Sequence, residues 1–185
     1  MEQAVWALAR GTGIVALSFF TLSIVLGIAV RSGRPIGLLP RFGVVDVHRF
    51  AALFAVVLVA MHVVLLLADP FAQLRIVDVF VPFLGTYRPV WLGLGTLAAD
   101  IAVALVVTSL LRHRLGLRVF RVVHWAAYLL WPVTLAHALG NGTDAAHGWF
   151  LVWAAACVSA VAASLLWRLH SGYTEYSSNR IALRR

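Results

Sequence analysis

The chain has 185 residues, 62% of them apolar and 12% charged, with a mean hydropathy of +0.93. Soluble domains run at about 45–50% apolar and about 25% charged, so a water-soluble enzyme is excluded. With one cysteine (Cys157) and no low-complexity tract, so are a disulfide scaffold, a collagen and a disordered chain. The formal charge of +8 rests on fifteen basic residues, all arginine, and in so apolar a chain it reads as membrane orientation rather than nucleic-acid binding.

At roughly 20 residues per spanning helix, five stretches are long and apolar enough to cross a membrane. Residues 11–30 carry no charge and read as a retained helix, too long in their apolar core for a signal peptide. Residues 50–68 carry only His62. The connection 69–88 is apolar but broken by Arg75 and Asp78, so it reads as an outer loop with a short interfacial helix, closed by Pro82 and a turn near Gly85. Residues 89–111 carry only Asp100, residues 122–140 carry His124 and His137, and residues 148–167 are uncharged. No repeat or linker divides the chain, which reads as one all-α membrane domain over 1–185.

Orientation follows the arginines. With five spans, one side holds Arg31, Arg34, Arg41, Arg49, Arg112, Arg114, Arg118, Arg121, Arg168, Arg180, Arg184 and Arg185; the other holds Arg10, Arg75 and Arg88. Twelve against three places the N-terminus outside and the C-terminus in the cytoplasm of a multi-pass plasma (inner) membrane protein. Trp91, Trp149 and Trp153 fall near the outer boundary, where aromatic belts gather.

Four histidines carry the chemistry. His48 and His62 stand 14 apart on the second helix, and His124 and His137 stand 13 apart on the fourth. At 1.5 Å per residue each pair spans roughly 20 Å, giving an inner level (His48, His124) and an outer level (His62, His137). Each level could hold one planar macrocycle between two imidazoles, and haem iron takes such axial nitrogens. A plain polar or interfacial role competes for any one histidine, but four in matched levels favour axial ligation. On an ideal helix a spacing of 14 returns to within about 40° of one face, whereas 13 lands about 140° away. A kink at Pro132 would re-aim His137; His147, at the outer start of the fifth span, is its one substitute. His113 reads as solvated and His170 as interfacial.

The runs 46–62 (DVHRFAALFAVVLVAMH) and 123–137 (VHWAAYLLWPVTLAH) resemble the transmembrane haem domain of ferric reductases and NADPH oxidases, over roughly residues 10–168. In that family two helices each carry two histidines and hold two b-type haems. The resemblance implies haem b, two per chain, with His48, His62, His124 and His137 as axial ligands. Relatives usually have six helices and a flavin and nicotinamide module. Here the count is five, and no glycine-rich nucleotide loop is present, since Gly93 and Gly95 lie inside a span. The closer resemblance is to short bacterial members, such as the haem-binding membrane subunit of a methionine sulfoxide reductase system. Electrons are then expected from a separate partner, a cytoplasmic flavoprotein or a membrane quinol, and to pass from the inner to the outer level, towards an outer-side acceptor.

Other residues stay open between two roles. Arg49, next to His48, and Arg121, one turn before His124, could pair haem propionates or anchor the inner boundary; Arg75 and Arg88 have the equivalent outer role or could bind an external acceptor. Asp100 is the one acid deep in a span, where a charge costs at least ~2.5–3.5 kcal/mol. It is expected to partner an axial histidine, serve a proton path or bond a neighbouring helix. Trp125 and Tyr128 are expected between the two levels. A terminal ferric (metallo)reductase acting at the outer face, and a cofactor-free transporter or proton channel built on the same histidines and Asp100, are the rival readings.

Overall fold

A computed structural model describes residues 2–176, and among them the regular structure is helical throughout. The sequence comprises α1 (Glu2–Ser32), α2 (Arg41–Ala68), α3 (Ile76–Phe80), α4 (Pro89–Leu110), α5 (Arg112–His124), α6 (Ala127–Asn141) and α7 (Gly148–Leu169). Four of them, α1, α2, α4 and α7, are long and apolar enough to cross a membrane, and the bent pair α5 and α6 makes a fifth crossing if it acts as one. The protein is therefore a multi-pass membrane protein. Arg180, Arg184 and Arg185, counted towards the inner side, lie outside the described residues.

Helices α1 and α2 form a long antiparallel hairpin. Its turn is closed by paired bonds between Ile36 and Leu39, with Gly33 and Gly37 at positive φ, where glycine carries no Cβ penalty. Helix α1 is longer than the uncharged stretch 11–30 because Arg10 does not end it. The Arg10 guanidinium forks onto the carboxylate of Asp144 and covers the ring of Trp6 at 4.0 Å, so the charge is paired. At about 1.5 Å per residue, α1 then exceeds the ~30 Å hydrocarbon core. Helix α2 likewise begins at Arg41, which places His48 inside regular helix.

Helix α3 is the short helix expected in 69–88. Asp78 is buried and takes two hydrogen bonds from the Arg75 guanidinium and one from the Arg75 backbone, while Arg75 also donates to the Leu84 carbonyl. Arg75 is thus a structural cap. Arg88 donates to the Gly140 carbonyl.

The expected fourth span is broken, and not at Pro132. Helices α5 and α6 meet at 47° across Trp125–Ala126, while Pro132 lies within α6. At the break the bonding tightens to i→i−3 steps, Ala126 to Val123 and Tyr128 to Trp125. Arg168 of α7 lodges there, hydrogen-bonded to the Tyr128 hydroxyl and 4.9 Å from the Trp125 ring centre. Gly116, at φ +79°, breaks α5 internally as well.

The core gathers where α1, α2, α4, α6 and α7 meet, around Leu17, Phe20, Ala55, Ala102, Trp131 and Val161. Alanines at the crossings let backbones approach closely. Ala55 lies seven residues from His48 and seven from His62, so this core fills the space between the two histidine levels.

Candidate functional site

Three of the four histidines are held in one way. The Nδ1 of His48 donates to the Ser23 carbonyl at 2.9 Å, that of His62 to the Ala9 carbonyl at 2.6 Å, and that of His137 to the Trp91 carbonyl at 2.7 Å. A carbonyl only accepts, so each Nδ1 carries the proton, and in the neutral form of such a ring the lone pair is on Nε2. Metal-bound histidines are commonly oriented in this manner. The acceptors lie on α1 for the two α2 histidines and on α4 for His137.

Each ring also rests on a glycine. A Cβ added at Gly27 would stand 3.3 Å from Cε1 of His48, one at Gly13 would stand 3.0 Å from Cε1 of His62, and one at Gly95 only 2.5 Å from Cε1 of His137. Sequence reasoning missed all three glycines. The available signal is that Gly13 and Gly27 are 14 apart, as are His48 and His62, which is what antiparallel pairing of α1 and α2 requires.

His124 differs. It ends α5, packs on Phe120 with ring centres 5.1 Å apart, and its Nδ1 is buried with no hydrogen-bond partner among the described residues. Its ring faces His48 across 6.3 Å, with the planes at 81°. Both rings line a cavity of about 620 Å³ between α1, α2, α4, α5 and α6. The walls are mostly apolar, and the rim gathers Arg31, Arg49, Arg112, Arg121 and Arg168. Among the described residues Arg49 has only a loose pairing with Asp46 at 3.8 Å, and Arg121 donates to the Leu117 carbonyl. His113 also reaches this cavity.

Trp125 and Tyr128 line this cavity, and the aromatic side chains that pack into the core between the histidine levels are Trp131 and Phe20. Asp100 is exposed on α4 and makes no hydrogen bond or ion pair among the described residues, so it supports no histidine. His147 caps α7 and sits 3.9 Å from Asp144, already bound to Arg10. The Nδ1 of His170 accepts from the Gly172 amide.

The segment after α7 folds back over the C-terminal end of α1. Tyr173 donates to the Ile28 carbonyl, Arg34 to the Gly172 carbonyl, and Arg31 forks onto Glu175 at 2.8 and 3.1 Å. Arg41 stacks 3.6 Å over the ring of Tyr176. Arg168 approaches Glu175 at 3.8 Å, so one carboxylate holds two arginines of the cavity rim. Those two hydrogen bonds keep the Glu175 carboxyl below the usual carboxylate range.

A family model for the ferric reductase like transmembrane component matches residues 12–135, that is 124 of the 185 residues. The chain belongs to that family, whose members are generally haem-binding and point to electron transfer across a membrane. The match contains His48, His62, His124 and the three glycines, and ends two residues before His137. No curated protein and no solved structure matches the chain.

Proposed function

We propose that this member of the ferric reductase-like family is a membrane cytochrome that carries electrons between a separate donor and an outer-side acceptor. It would hold two haems b, one between His48 and His124 and one between His62 and His137. The observation that carries the reading is the inner cavity, where two imidazoles face one another across 6.3 Å. Metal–imidazole bonds run at about 2.0–2.1 Å, so that separation admits one metal bound by a nitrogen from each ring. Among the described residues no group of three or more His, Cys, Asp or Glu converges. Two imidazoles are too few for a metal site made of protein alone, but they suit an ion that brings its own macrocycle.

A bound haem supplies the reversible one-electron iron couple. The chain's part is position and environment. His48, His62 and His137 present Nε2 because their Nδ1 protons are committed to carbonyls. Apolar walls exclude water, and the rim arginines, Arg49 and Arg121 among them, offer charge-assisted forks for two carboxylates. The same rim marks the side on which a donor, a flavoprotein or a quinol, would deliver electrons. The transporter reading needs Asp100 beside the histidines, and Asp100 is exposed instead.

A reduced-minus-oxidised spectrum of the purified chain, with haem quantified per chain, tests the proposal. Two non-covalent haems with bis-imidazole spectra are expected. A stoichiometry clearly below one in folded protein would overturn it.

A further inference from the structure

The three tethered histidines share more than a hydrogen bond. Ser23 and Gly27, Ala9 and Gly13, and Trp91 and Gly95 are each four residues apart, the first of each pair giving the carbonyl and the second lying under the ring. Helix geometry explains the interval. The carbonyl of residue i is bonded to the amide of residue i+4 and keeps a second lone pair. Side chains tilt towards the helix N-terminus, so residue i+4 is the one whose Cβ covers that carbonyl. Glycine at i+4 leaves the second lone pair open to a ring from a neighbouring helix.

We propose that Gly13, Gly27 and Gly95 are positioning residues for the iron ligands. Each uncovers one helix carbonyl so that a histidine can lie flat against the helix, commit Nδ1–H to that carbonyl and turn Nε2 into the bundle. The inference rests on the haem reading above and adds three residues to it. Close packing of helices on small residues does not by itself explain why the same imidazole atoms meet the glycine each time, nor why the bonded carbonyl is always four residues earlier.

The clearances rank the sites. A methyl at Gly27 would be tight but tolerable at 3.3 Å, one at Gly13 would press on both Cε1 and Nδ1 at 3.0 and 3.1 Å, and one at Gly95 would collide at 2.5 and 2.7 Å. A ring pushed off its carbonyl loses the bond that makes it a more basic ligand. A less basic ligand favours ferric iron less, so the midpoint potential rises.

The test uses the purified full-length holoprotein with Gly27→Ala, Gly13→Ala and Gly95→Ala, and Gly11→Ala as control, since a Cβ at Gly11 meets nothing within 4 Å. Haem per chain and the midpoints of both components are measured for each. Gly27→Ala should keep two haems and raise the inner midpoint alone. Gly13→Ala should raise the outer midpoint alone and by more, and Gly95→Ala should release the outer haem or raise its midpoint furthest. Gly11→Ala should match wild type. Alanine is the better helix former, so lost helix cannot account for this pattern. If Gly95→Ala fails to fold, Gly13→Ala and Gly27→Ala decide the matter. Two wild-type haems with midpoints unmoved in both variants, or moved equally at both levels, would overturn the positioning role and leave the haem reading intact. A wild-type chain without haem would overturn both.

Discussion

The indole of Trp131 on α6 donates to the hydroxyl of Thr21 on α1 at 2.9 Å, with both side chains buried. The same hydroxyl donates back to the Leu17 carbonyl, so a tie between the two halves of the molecule sits in the core that separates the histidine levels. Thr21→Val keeps the shape and strands the indole N–H. The cost should be about 1 kcal/mol, between the ~0.6 kcal/mol average for hydrogen bonds inside membranes and the ~1–3 kcal/mol of an orphaned buried donor. Thermal unfolding in detergent reads it, and adding Trp131→Phe should recover part of the loss. An unchanged midpoint in Thr21→Val would show the tie to be idle.

Replacing either member of a level should remove one haem and spare the other. His62→Ala and His137→Ala should give the same loss in a redox titration, and His48→Ala and His124→Ala the complementary one. Among the described residues His62 and His137, the proposed outer pair, are both tethered to carbonyls, whereas of the proposed inner pair only His48 is. Tethering favours ferric iron, so the component lost in His62→Ala should be the one with the lower potential. If His147→Ala removes a haem that His137→Ala retains, the outer pair is assigned wrongly.

Sidedness is open to a direct assay. A reporter active only outside the cytoplasm should give signal when inserted after Asp144 and none after Arg118. The reverse result would invert the orientation drawn from the arginines.

The segment that folds back over α1 should respond to acid. Glu175 is held below the usual carboxylate range, first by its hydrogen bonds from Arg31. A depressed carboxyl contributes its hold in full above the ordinary Glu value of about 4.3, and loses it as pH falls through the lowered folded value. Glu175→Gln should therefore loosen the segment at neutral pH, read as faster proteolysis between Leu169 and Tyr176. Wild type should reach that rate only under acid. Equal rates for the two proteins at neutral pH would show that the carboxylate does not hold the segment.

The helices α4 and α7, and the C-terminal end of α2, were legible from apolar length alone, within about two residues. The N-terminal reach of α1 was not, because Arg10 reads as a boundary until Asp144, far along the chain, is brought to it. Pro132 signals a kink in any sequence, yet the bend lies at Trp125–Ala126, where Arg168 of another helix holds two aromatic residues. Asp100 looks like a partner for the histidines in one dimension, yet it is exposed and bonded to none of them among the described residues. The phase mismatch between His124 and His137 on one straight helix disappears as an argument once the two residues belong to different helices.

The α1–α2 hairpin also bears on how the molecule is made. His48 and His62 lie on its second helix and the carbonyls that hold them on its first, so one proposed ligand of each level is oriented within a segment made before α4 and α6. A ribosome would release this hairpin with both rings already aimed, before α4 or α6 exists. The later helices then close two half-built sites, and assembly around the cofactor becomes a matter of completing each pair rather than organising four free side chains at once.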